Sequence, residues 1–92
     1  MDRQRYLDLI VPAIELVVKK GEDYNKNVKL EAYFPFHDKS YIQMLHLKAV
    51  RAVSLADVNT PNYEGMKDTL YDLVNYCVFY LDYLEKKHEL GA

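Results

Sequence analysis

Glu64, Asp68, Asp72 and Asn75 stand four, four and three residues apart within "EGMKDTLYDLVNY", residues 64 to 76. On an α-helix these spacings line all four along one side, in a band about 80° wide. Carboxylates so arranged can hold a divalent cation, pair with bases on a neighbouring helix, or face water. All three acids on one ion is excluded, because they span about 12 Å at 1.5 Å per residue. Tyr71, Tyr76 and Phe79 lie near the acids on the same helix, so this side is not a plain solvated face.

The complementary charge sits upstream in "LHLKAVRAVSL", residues 45 to 55. By helical angle Lys48 and Arg51 are interleaved with Tyr41, Met44 and Leu55 at the margin of the apolar side. A base placed so is partly desolvated and needs a partner. One reading is structural, with Asp68 or Asp72 paired to Lys48 or Arg51 between packed helices. The other is a polar cleft between the second and third helices, roofed by residues 21–39 and walled by tyrosines, where cations attract phosphate, rings stack on a base and carboxylates accept from sugar hydroxyls or hold Mg²⁺. His46, on the opposite margin, reads as a surface or hydrogen-bonded residue.

Three helices carry these groups. The first repeats Tyr6, Leu9, Ile10, Ala13, Ile14 and Val17 at helical spacing over about residues 3–20. Asp2 suits its N-terminal cap and Gly21 its C-terminal end, and Pro12 predicts a kink or a break into two helices. The second covers about 41–57, with Ser40 as N-cap and Gln43 completing a capping box. Its expected buried stripe is Ile42, Leu45, Ala49, Ala52, Val53 and Ala56. The third covers about 62–87, capped by Thr60 or Asn62, with an apolar face of Met66, Leu70, Leu73, Val74, Cys77, Leu81 and Leu84. Residues 21–39 between the first two read as a long loop, and Tyr24, Tyr33, Phe34 and Phe36 argue that it is ordered and functional. The expected architecture is one all-α domain, residues 1–92, a small bundle of three or four helices.

The 92 residues are half hydrophobic. So short a chain leaves apolar surface uncovered, which predicts a homo-oligomer, a dimer or higher. A net charge of −2 and a pI near 5.9 argue against nucleic acid as main partner. No stretch reaches the roughly 18 uncharged residues of a membrane span, and the charged start with Pro12 is unlike a signal peptide. A single cysteine, Cys77, excludes an intrachain disulfide framework and reads as a buried small hydrophobe, so a reducing cytoplasm is expected. Nine tyrosines and no tryptophan suit planar ligands or interfaces.

"KKGEDYNKN" (19–27), "LHLKAVRAVSL" and "PNYEGMKDTLYDLVNYCVFY" (61–80) together resemble a pattern of short phage and bacterial nucleotide-modification-associated proteins. These are distantly similar to the MazG-like all-α nucleoside-triphosphate pyrophosphohydrolases. The likeness covers residues 19 to 83: a lysine before Asp-Tyr, a Lys-x-x-Arg helix and a Glu-x-x-x-Asp-x-x-x-Asp helix. The MazG-like enzymes carry acids on two successive helices that bind Mg²⁺ beside a triphosphate. Here the acidic helix matches the second set through Glu64, Asp68 and Asp72. The preceding helix has no acid before Asp57 and carries His46, Lys48 and Arg51 instead. Glu22 and Asp23 are the nearby acids that can complete a set.

The resemblance therefore implies a bundle without its full metal cage, binding a nucleotide or nucleotide-derived signal without turnover and without a cofactor. Lys48 and Arg51 would hold phosphate with Lys26 or Lys39. Tyr24, Tyr33, Tyr41 or Tyr71 would stack on the base, and Asp68, Asp72 or Asn75 would read sugar or base edges. In a phage protein that activity would sequester a host-defence signal, in the host cytoplasm. One alternative is an Mg²⁺-dependent pyrophosphohydrolase with Glu64, Asp68 and Asp72 as metal ligands. Another is an inhibitor that binds a partner protein through its tyrosines.

Overall fold

The computed structural model describes residues 1–24, 28–56 and 62–89, without the side chains of residues 22–24. The fold is all-α. Helix α1 spans Arg3–Tyr24, a 3-10 turn spans Leu30–Tyr33, α2 spans Asp38–Ala56 and α3 spans Tyr63–Glu89. No strand occurs among the described residues.

Local chemistry sets the helix starts. Asp2 Oδ1 accepts from the Arg5 amide at 2.8 Å, the expected cap of α1. Asn62 Oδ1 accepts from the Gly65 amide at 2.9 Å, so Asn62 caps α3. Thr60, the other candidate, lies outside the described residues. Gly65 leaves room for this cap, since a Cβ there would stand 2.7 Å from Asn62 Nδ2.

Two expected boundaries are corrected. α1 continues unbroken through Pro12 and past Gly21. Pro12 and Asp8 are both exposed, so water can meet the Asp8 carbonyl that proline leaves without an amide partner. α2 begins at Asp38, not beyond Ser40. The chain reverses at His37, whose φ is 58°, a left-handed conformation. Ser40 therefore falls in the first helical turn, where its Oγ accepts from the Phe36 amide at 2.8 Å and no capping box with Gln43 forms.

α2 and α3 run antiparallel as the principal contact, and α1 packs on α3. Asn75 of α3, buried, donates to the Ala13 carbonyl of α1 at 3.1 Å. The 28–37 segment seals one end of the α2/α3 pair. Phe34 stacks on Tyr41 with centroids 4.1 Å apart, and Tyr41 stacks on Tyr80 at 5.2 Å and meets Tyr83 at 5.1 Å. Offset or tilted ring pairs at these separations add stabilisation beyond the area they bury. Phe34 and Tyr41, only 5% and 2% exposed, form the core with Ala13.

The apolar stripes fall elsewhere than expected. Of the α2 stripe, Leu45 and Ala52 are half-buried, whereas Ile42, Ala49, Val53 and Ala56 are exposed. On α3, Met66, Leu73 and Val74 are half-buried, and Leu70, Cys77, Leu81 and Leu84 are exposed. Cys77 is thus not a core residue of the single chain. On α1, Ala13 is buried and Ile10 and Val17 are half-buried, but Tyr6, Leu9 and Ile14 face out. The reason is the aromatic end: α2 turns its Tyr41 and Lys48 side to α3, which rotates the aliphatic stripe away.

Candidate functional site

A cleft of about 340 Å³ opens between the second half of α1, the 3-10 turn and α3. Leu16, Val17 and Gly21 of α1 form one wall, and Leu30, Tyr33 and Phe34 form the roof. Asp72, Asn75, Tyr76 and Phe79 of α3 form the floor, and Lys48 enters from α2. The size lies near the lower end of small-molecule sites, and mostly apolar walls with a few converging polar groups are typical of them.

Its charged centre is asymmetric. Lys48 Nζ stands 3.1 Å from Asp72 Oδ2, and Lys20 Nζ stands 3.9 Å from Asp72 Oδ1. Two ammonium groups thus share one carboxylate. The Lys48 and Asp72 side chains are 22% and 26% exposed, so they interact more strongly than a surface pair. Lys20 is half exposed and reaches toward solvent. Asp72 is the one acid among the described lining residues, which leaves a surplus of one positive charge.

Four of the expected ligand-binding residues meet here: Lys48, Tyr33, Asp72 and Asn75. The expected pairing of a base on α2 with an acid on α3 takes the form Lys48–Asp72. Arg51 does not join it. Its Nε donates to Thr69 Oγ1 at 3.3 Å, and the Thr69 hydroxyl donates to the Gly65 carbonyl at 2.8 Å. Tyr41 is buried in the ring stack, where burial pushes its phenol above the usual range. Tyr71 instead helps line a shallower hollow against the start of α1, with Lys67 Nζ 5.9 Å from its ring centre.

Lys39, Asp68 and His46 are exposed and outside the cleft. Lys26 and the side chains of Glu22, Asp23 and Tyr24 lie outside what is described. No three acids, histidines or cysteines converge as a metal site among the described residues. Glu64 and Asp68 are exposed and do not join Asp72 in the cleft.

Sequence reasoning missed Lys20 as a site residue. The signal was its place in "KKGEDYNKN", a stretch already marked by its pattern. A second charged cluster lies outside the cleft, where exposed Lys86 bridges Glu31 at 3.0 Å and Asp82 at 2.9 Å. Those hydrogen bonds, first to Asp82 and then to Glu31, hold the Lys86 ammonium above its usual pKa.

Comparisons with protein-family models, with curated proteins and with solved structures found no match for this chain.

Proposed function

We propose that this chain binds a phosphorylated small molecule of nucleotide type in the cleft and holds it without turnover. The observation that carries the reading is the pair of lysines on one carboxylate, inside a recess walled by aromatic rings. An incoming phosphate meets the Lys20 and Lys48 ammonium groups, which outnumber the acids among the described lining residues by one, in surroundings less screened than open solvent. Tyr33, Tyr76 and Phe79 give the recess aromatic walls suited to a planar base, and Asn75 and Asp72 supply polar groups beside them. Lys20 replaces Arg51 as the second phosphate contact.

Hydrolysis of a triphosphate has less support. It asks for several oxygen ligands around Mg²⁺, whereas the described acids of α3 spread along its length. A chain that binds without cleaving acts by sequestration, the role its resemblance to phage proteins suggests.

The test is differential scanning fluorimetry with EDTA present, using nucleoside mono-, di- and triphosphates and cyclic nucleotides, followed by mass spectrometry of the ligand after heat denaturation. A ligand that raises Tm without metal and is recovered intact supports the proposal. Pyrophosphate release that depends on Mg²⁺ would replace it with the enzyme reading. No shift with any nucleotide would remove both.

A further inference from the structure

The folded chain exposes 7474 Å². A compact monomer of 10.8 kDa is expected to expose about 5,500 Å². Its radius of gyration of 15.0 Å likewise exceeds the roughly 12 Å expected for this length. The excess surface, about 1,900 Å², is more than twice what one partner buries in a standard interface, about 800 Å².

Part of the exposed apolar surface, Ile42, Val53, Leu70, Leu81 and Leu84, gathers on one face. On α3, Thr69, Tyr80 and Tyr83 point toward α2, Asn75 reaches α1, and Asp72 and Phe79 line the cleft. At 100° per residue, Leu70, Cys77, Leu81 and Leu84 fall within about 60° of one another on the remaining side. On α2, Ile42, Ala49 and Val53 lie about a quarter turn from Tyr41 and Lys48, which face α3. Tyr41 at the start of α2 meets Tyr80 and Tyr83 late in α3, so the helices are antiparallel. That direction brings both stripes to the same side, opposite the cleft. The result is a two-helix layer without a charged residue along its stripes, in which Ile42, Val53, Leu70 and Leu81 are 53%, 70%, 48% and 58% exposed.

We propose that a second copy of this chain covers the α2/α3 face, the two helix pairs forming a four-helix layer across a two-fold axis. The occupant has to accompany the chain whenever it is folded. Ala13, Phe34 and Tyr41 are the buried hydrophobic residues among those described, and so small a core does not sustain a 92-residue domain alone. A second copy is the partner always present at synthesis. Two-fold pairing also lets one apolar patch satisfy itself, and Ala49 and Ala56 permit close helix approach. The inference is independent of the ligand reading, since the cleft lies on the other side.

Sedimentation equilibrium over a concentration series tests it. The parent protein is expected at twice 10.8 kDa. Val53→Glu and Leu81→Glu place charge on the face and should shift the protein to monomer or unfold it. Leu47→Glu, on the opposite flank of α2 and 55% exposed, should leave the dimer intact. Because the face variants can fail to fold, Cys77 in the parent protein gives a second readout. Its labelling by a thiol reagent should be at least about tenfold slower in the associated protein than after dilution or in 8 M urea. A monomer at high concentration, a dimer indifferent to both face variants, or Cys77 labelling unchanged by association would overturn the proposal.

Discussion

The aromatic end and the cleft share Phe34, Tyr76 and Phe79, yet their chemistry is opposite. At the aromatic end, Phe34, Tyr41, Tyr80 and Tyr83 use their faces on one another. A few ångströms away, Lys20 and Lys48 divide a single carboxylate beside a recess. One region has used its interaction capacity on folding, and the other holds one more cation than acid among its described lining residues. Substitutions at the first should therefore cost stability, whereas those at the second should change ligand affinity more than fold.

The largest effect is expected at the ring stack. Tyr41→Ala removes a side chain only 2% exposed from between Phe34 and Tyr80 and should cost about 3–5 kcal/mol, measured by urea denaturation. A loss below about 1 kcal/mol would mean that the stack is not the anchor of α2 on α3.

Lys48→Met should lower stability by about 1–2 kcal/mol, less than breaking an isolated buried pair, because Lys20 remains near Asp72. Nucleotide affinity, by isothermal titration calorimetry, should fall at least about tenfold. Equal losses in both regions would erase the contrast between them. Asp72→Asn sharpens it: the variant should be less stable than the parent yet bind phosphate ligands up to about tenfold more tightly, since the competing anion is gone.

The two regions also differ in their response to base. Burial raises the Tyr41 phenol, and burial followed by Asp38 raises that of Tyr80. A phenol whose folded pKa is raised contributes stability below its ordinary value near 10, lost as pH climbs through the folded value. Alkaline titration by ultraviolet absorbance should therefore show late-ionising tyrosines, with unfolding as they titrate. Lys86→Met should have the smallest effect, a slight fall in Tm that disappears in high salt, because its pairs with Glu31 and Asp82 are exposed.

The sequence was legible where local chemistry decides the outcome. Helical spacing, the Asp2 and Asn62 caps and the Lys48–Asp72 pairing follow from neighbours a few residues apart or from matching charges on adjoining helices. It was misleading where a tertiary contact sets helix rotation. Ile42 and Val53 have the periodicity of a core stripe, but the Phe34–Tyr41–Tyr80 stack turns Tyr41 inward and leaves both exposed. Ser40 looked like a cap because nothing local announces the left-handed turn at His37. Arg51 and Lys48 share a helix side by spacing, yet Thr69 is within hydrogen-bonding reach of one and Asp72 of the other. Only the placement of α1 over α3 brings Lys20 to the site.

The central claim is that the surplus positive charge at Lys20 and Lys48 is for a phosphorylated guest. Two-dimensional NMR of the isotope-labelled protein, titrated with a panel of nucleotides in EDTA, tests it most directly. Saturable shifts are expected at the Gly21 amide, the Asn75 side-chain amide and the Tyr76 amide, with the Tyr83 signals little moved. No shift across the panel, or shifts confined to Leu70, Cys77 and Leu81 on the opposite face, would contradict it.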